Sequence, residues 1–439
     1  MVTFFIIWLG QLASLIGSEM TNFAVTIWAW ETTGQATPLS LLLFFSQTPK
    51  ILAALFAGVI VDRFDRKQLL MIGDGVAGLS TIVILLLFLT NDLQIWHLYL
   101  TGAINGLFSQ IQTLTFLPLI ALMVPKKHYT RASAMNGVQQ GIAYTVAPMS
   151  AGFLYAYIGF SGVLTVDLIT FIIAIATIIY VRIPPGSTPE NITQKFLNWE
   201  TFFQELTFGF NYLSQRPSLV ALLSIFLVHL FILNTNVAIL SPMVLARSGT
   251  QEKVLGTVMM IFGIGNMLSA VFMTIWGGTK NRVNNLLLGR GLQLGSLMML
   301  GLFPDPIIWI IFAFSGGFFA LFPGSFYQSI WLSKVDTSVQ GKVFATRSLI
   351  SQIVLTLALV IGGPMADYLF EPAMEKGAVL ANLLGGIFGT GEGAGMALQC
   401  ALLSAIGVLL CLLGYRLPLL QNLEKNLPDC DYSSLEKLP

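Results

Sequence analysis

Apolar runs of about 20 residues, the length that crosses ~30 Å of hydrocarbon, recur along this chain from its first residues almost to its last. They fall at roughly 4–29, 39–60, 69–90, 97–123, 133–157, 161–182, 219–243, 254–277, 286–303, 307–331, 344–368 and 395–415. Inside hydrocarbon every backbone N–H and C=O must be paired within the protein, so runs of this length form helices. The chain reads as an all-α integral membrane protein with twelve transmembrane helices. Composition excludes a soluble alternative. Hydrophobic residues are 55% of the 439 and charged residues only 10%, against roughly 25% charged in soluble domains. The net charge of +1 leaves no basic excess for a nucleic-acid partner.

The stretch from Thr3 to Trp30 has neither a basic leader nor a small-residue cleavage site, and it is too long for a signal core, so it reads as the first span. Cys400 and Cys411 share one apolar run and Cys430 lies in the polar tail. With no CxxC pair and no even framework, neither a disulfide scaffold nor a metal site is indicated. An even number of spans puts both termini on one side. With cytoplasmic termini, the inner connections hold eighteen of the 22 Lys and Arg residues, from Arg63 to Lys437. Only Arg247, Lys253 and Lys376 fall outside, and Lys50 lies within a span. This is the positive-inside distribution.

The longest polar connection, 184–216, opens with Pro184-Pro185-Gly186 and continues into an amphipathic stretch from Phe196 to Tyr212. It separates an N-terminal six-helix half, 1–183, from a C-terminal one, 217–415, which is followed by a cytoplasmic tail, 416–439. The outer connection 370–393 is also long and rich in glycine and small apolar residues. The halves echo each other. Asp62-Arg63 after the second run and Asn281-Arg282 after the eighth are 219 residues apart, while Arg131 and Pro148 recur as Arg347 and Pro364 at an offset of 216. Duplicated units of this kind build carriers whose site lies between the repeats.

The run Gly58-Val59-Ile60-Val61-Asp62-Arg63-Phe64-Asp65-Arg66-Lys67 resembles the loop 2–3 motif of the major facilitator superfamily, G-x-L-a-D-r-x-G-r-k. Weaker stretches follow in the family's order, among them Trp8-Leu9-Gly10-Gln11, Val166-Asp167-Leu168, Gly362-Gly363-Pro364 and Ala366-Asp367. The resemblance covers essentially the whole chain and is closest to the macrolide-efflux-like, drug:proton antiporter branch, which also includes siderophore exporters. It implies two pseudo-symmetric six-helix halves in a bacterial-type inner membrane, and a monomer that moves a small-molecule substrate against protons. It also implies an inner gate: Gly58 for close helix approach, Asp62 at the positive end of span eleven, Arg66 to fix Asp62, with Arg63 and Lys67 beside them. The sequence departs from the motif at Asp65, where the family has glycine. Ala147-Pro148-Met149-Ser150-Ala151-Gly152 resembles the exporter-associated motif G-P-x-x-G-G, with alanines in place of two glycines. The arginine that drug antiporters often carry in span four has no counterpart between His97 and Val124.

Ionisable residues at mid-bilayer cost at least ~2.5–3.5 kcal/mol on insertion scales and mark functional sites. Glu19 and Lys50 fall at nearly the same depth in the antiparallel spans one and two. Two roles are open to them, proton exchange at Glu19 or a static buried pair. Gln11, Ser14, Ser18 and Asn22 form a polar stripe on span one, within about 100° of arc. Asn105, Ser109 and Gln112 form another on span four, and Asn136, Gln140 and Tyr144 a third on span five. These stripes predict a cavity wall. In span seven, His229 is a further proton-coupling candidate and Asn236, seven residues on, a further cavity candidate. Asp74 and Asp167 read as hydrogen-bonded structural residues. Apolar Phe, Trp and Met fill out the lining, which suits a bulky amphiphile better than a sugar or an inorganic anion.

No GxxxxGK[ST] loop, HExxH or GxSxG motif occurs, so neither an ATP-driven pump nor a membrane-embedded enzyme is indicated, and no cofactor is implied. The reading is a secondary carrier working by alternating access, a proton-coupled exporter of macrolide or multidrug type. Siderophore, peptide and lysophospholipid transport are the alternatives on the same fold.

Overall fold

The computed structural model describes residues 2–63, 65–125, 128–181, 199–279 and 281–427. These are almost entirely helical: α1 (Val2–Thr33), α2 (Ala36–Arg63), α3 (Arg66–Leu89), α4 (Ile95–Met123), α5 (Tyr129–Tyr180), α6 (Trp199–Ser214), α7 (Pro217–Ser248) and α8 (Glu252–Trp276) come first. They are followed by α9 (Arg282–Leu302), α10 (Pro306–Phe318), α11 (Leu321–Lys334), α12 (Thr337–Met365), α13 (Glu371–Ala373), α14 (Val379–Phe388) and α15 (Ala394–Gly414). One π-helical turn, Ala366–Phe370, joins α12 to α13.

Eight stretches among the described residues are long and apolar enough to cross a membrane. One of them, Gly137–Tyr180, is broken at Gly159, whose φ of 68° and ψ of −174° no helix tolerates. That glycine separates two rods where two spans are expected. α2, α4 and α9, at 28, 29 and 21 residues, are also long enough by length alone.

Helix starts are set locally. Asp65 accepts a hydrogen bond from the Gln68 N–H at 3.1 Å and caps α3. Its φ of −60° is ordinary, so the glycine that the loop motif prefers is not needed for the turn. Asp305 caps α10 in the same way, and Asp336 caps α12. Hydrogen bonds from the Ser338 hydroxyl and backbone N–H hold the Asp336 carboxyl below the usual aspartate value of 3.8. A depressed folded pKa means the cap contributes above the unfolded value and is lost as pH falls through the folded one. An NMR titration of the Asp336 carboxyl carbon should therefore give a midpoint below 3.8, and a higher midpoint would contradict the cap.

The helices pack as two groups, α1–α5 and α7–α15. Within the first, α1 lies closely on the 160–180 rod because Gly10 and Gly17 leave room for Thr177 and Thr170. Between the groups, α5 crosses α8 and α2 crosses α12. The cores show where the groups join. One large core combines Ala24, Ile27 and Trp30 of α1 and Leu164 of α5 with Ile239, Val244, Leu255 and Trp309 of the second group. It occupies the end of the bundle away from the chain termini. At the termini end the described cores are separate, Phe4, Trp8 and Phe116 in the first group and Leu219, Leu286, Ile330 and Trp331 in the second. Amphipathic α6 packs on α12, with Gly209 against Thr346. Residues 182–198 of the central connection and 428–439 of the tail lie outside the described residues.

Candidate functional site

A cavity of about 380 Å³ lies among α1–α5. The structure brings onto its wall Gln11, Ser14, Ser18, Glu19 and Asn22 from α1, and Lys50 from α2. Asn105, Ser109 and Gln112 come from α4, and Gln140 and Tyr144 from α5. The stripes converge because each helix turns its polar edge toward this shared space. Further along α1, Ala24, Ile27 and Trp30 are packed in the joint core, which ends the cavity in that direction.

Glu19 and Lys50 both face this space, and no direct ion pair joins them among the described residues. The contact to Glu19 is a long hydrogen bond of 3.4 Å donated by Asn22 Nδ2. The two charged side chains face each other across the cavity.

Two further carboxylates stand on the wall. Asp74, 4% exposed, accepts from Gln11 Nε2 and from Gln112 Nε2, both at 2.7 Å. This cluster ties α1, α3 and α4 together. Asp167, also 4% exposed, accepts from the Thr21 and Thr81 hydroxyls at 2.9 and 2.8 Å. Both are hydrogen-bonded to neighbouring helices, as a structural role requires, yet both also line the cavity. Their donors are neutral, so the hydrogen bonds supply no counter-charge to either carboxyl group. Nothing in the sequence joins Asp74 to residues 63 positions before it and 38 after it. The one available signal was an acidic residue inside an apolar run.

Gln139, absent from the expected stripes, is 6% exposed and lines the cavity with Oε1 unpartnered. A buried acceptor without a donor is costly, and a bound molecule carrying an N–H or O–H would satisfy it.

His229 and Asn236 lie elsewhere. His229 is 1% exposed and faces α15, where Nε2 lies 3.1 Å from the Gly407 carbonyl and 3.0 Å from Cys411 Sγ, and Nδ1 lies 2.7 Å from the Ile225 carbonyl. Asn236 donates to Ser404 Oγ at 2.8 Å. Both bind α7 to α15 in the second group and do not reach the cavity, because α7 turns this face toward α15. The side chains of Gly58, Asp62, Arg63 and Asn136 lie outside the described residues. Of the remaining gate residues, Lys67 donates to the Val181 carbonyl at 3.0 Å, and Arg66 opens α3. No group of three or more His, Cys, Asp or Glu among the described residues is placed to hold a metal.

At the end away from the termini, two junctions close the groups on each other. Asp367, on the π turn, accepts from the backbone N–H of Ala36 at 2.9 Å and of Thr37 at 2.7 Å, the first residues of α2. Beside it, Gly363 lies against Thr37 and Ser40. On the other side, Gly152 of α5 and Gly256 of α8 meet backbone to backbone, and Lys253 stands 4.5 Å over the Tyr157 ring.

Long apolar helices in two groups, joined at one end and enclosing charged side chains within the bundle, define a membrane transporter rather than an enzyme. The chain belongs to the major facilitator superfamily, which it matches over residues 7–359. Macrolide efflux protein A of Streptococcus pyogenes is 24% identical over 369 residues, covering 83% of this chain and 89% of that protein. The enterobactin exporter EntS of Shigella flexneri is 21% identical over 345 residues, covering 78% and 76%. Among solved structures, an inward-facing, unoccupied bacterial homolog of the human lysosomal transporter Spinster superposes with a TM-score of 0.65 at 13% identity, covering 97% of this chain and 98% of that one. An inward-facing bacterial homologue of the iron transporter ferroportin gives 0.65 at 14% identity, covering 93% and 98%. These two likenesses concern the fold alone.

Proposed function

We propose that this transporter is a proton-coupled exporter of an amphiphilic cation, of macrolide or multidrug type. In this reading two six-helix halves, 1–183 and 217–415, make up twelve spans and rock about the cavity by alternating access. The protein works as a monomer in a bacterial inner membrane with both termini cytoplasmic. The observation that carries the reading is the set of ionisable groups on the cavity wall. Three carboxylates, Glu19, Asp74 and Asp167, stand against the single Lys50, so with all four ionised the wall carries a net charge of −2 (+1 − 3). Such a wall attracts a cationic donor or protons and opposes an anionic siderophore. Competition between substrate and protons for the same carboxylates would couple their movements in opposite directions. The volume, about 380 Å³, lies within the ~300–1,000 Å³ usual for small-molecule sites. The efflux and export activities named for the two relatives support export here.

The test is drug susceptibility and cation accumulation in a pump-deficient host, with and without an uncoupler. Expression should raise resistance to amphiphilic cations, and uncoupling should abolish the effect. Resistance that survives uncoupling would remove the proton from the mechanism. Glu19→Gln should abolish the pH-gradient dependence of efflux while leaving energy-independent exchange of substrate. Unchanged dependence would remove Glu19 from coupling, and Asp74→Asn then becomes the variant to measure.

A further inference from the structure

The connection after α12 carries a helix with no counterpart among the described residues of the first group. There the equivalent junction is Gly159 alone, whereas residues 366–393 include the ten-residue helix α14. Ala381 and Phe388 of α14 are buried, and Leu384 packs against the joint core. Val379, Leu383 and Ile387, at four-residue spacing, are 75%, 72% and 56% exposed. At 3.6 residues per turn they share about 80° of arc, on the side away from the packed residues. Both faces of α14 are thus apolar, and Asn382 is its sole polar side chain.

The surroundings identify what covers the outward face. α14 packs on α9 and α15, and toward this end Phe303, just after α9, and Leu402 of α15 are themselves exposed. The open face of α14 extends that apolar surface at the end away from the termini. Exposed Lys376 and Glu392 flank the helix, polar groups suited to the water boundary. Arg247 fixes its position, donating from Nη2 to the Phe388 carbonyl at 3.2 Å and from Nη1 to the Gly301 carbonyl at 2.7 Å.

We propose that α14 turns its Val379–Leu383–Ile387 face into the lipid leaflet at the end of the bundle away from the termini. Its partner is the acyl chains of that leaflet. No such helix occurs among the described residues of the first group, so this contact with the leaflet belongs to the second group. The proposal rests on the membrane class of the chain and is independent of substrate and coupling.

Nitroxide accessibility in phosphatidylethanolamine/phosphatidylglycerol vesicles tests it. Cys400 and Cys411 are buried, so Cys430→Ser supplies the background for a label at Leu383→Cys, with Lys376→Cys as the reference. At Leu383 collisions with oxygen should exceed those with a water-soluble nickel chelate several-fold, and at Lys376 the preference should reverse. A nickel preference at Leu383 would overturn the proposal by placing the face in water. Spin–spin broadening that disappears on dilution with unlabelled protein would overturn it in favour of a second copy.

Discussion

Asp367→Ala should open the bundle at the end away from the termini. The carboxylate spans the two helix groups and accepts hydrogen bonds from the first two N–H groups of α2, where the helix dipole favours negative charge. Hydrogen bonds to charged groups contribute about 1.5–3 kcal/mol each. Water replaces part of that in the open state, leaving a net effect of about 2–4 kcal/mol. A shift of that size changes the ratio of open to closed forms on the order of 10²-fold. Ser40, fully buried beneath Gly363, is the reporter. Maleimide labelling of Ser40→Cys, in the Cys430→Ser background, should accelerate sharply when Asp367→Ala is added. Asp367→Asn, which keeps an acceptor oxygen but loses the charge, should fall between. Equal labelling rates in all three would show that the carboxylate does not hold this end shut.

Gly256→Leu should abolish transport by forcing apart the other junction. A Cβ at Gly256 would lie 2.7 Å from the Pro148 carbonyl oxygen, and one at Gly152 would lie 2.7 Å from the Glu252 carbonyl oxygen. Backbone cannot swing aside as a flexible side chain can. Overpacking of this kind costs about 1–3 kcal/mol or more, and here it falls on the state in which α5 and α8 touch. The folded helices can survive by separating, so the loss should appear in transport before it appears in stability. Gly295→Ala is the control, since nothing lies within 4 Å of a Cβ there. It should transport as the parent does. A Gly256→Leu protein that transports normally would mean that this contact is not remade in each cycle.

Both junctions adjoin landmarks of the internal repeat. Pro148 lies four residues before Gly152, and Pro364 directly follows Gly363. The repeat was visible at an offset of 216 residues, but its purpose was not. Small residues beside a proline suit packing within a half as well as between halves, and only the crossing of α5 with α8 and of α2 with α12 selects the second. The cavity was partly legible. Stripes on α1, α4 and α5 could be read because a 3.6-residue period places polar groups on one face. Asp65 shows a local substitution whose consequence needed coordinates, since an ordinary φ at that turn makes the missing glycine immaterial.

The sequence by itself determined the membrane class and the helical rods, because hydrocarbon forbids unpaired backbone and ties span length to bilayer thickness. These are local constraints, satisfied within about 20 residues. Tertiary structure alone decided which polar side chains meet. It drew Gln11, Asp74 and Gln112 into one cluster, and Thr21, Thr81 and Asp167 into another. It turned His229 and Asn236 toward α15 and away from the cavity. The physical reason is rotational: a span's length and hydropathy leave its orientation about its own axis free, and close packing at positions such as Gly10, Gly17 and Gly256 sets that angle.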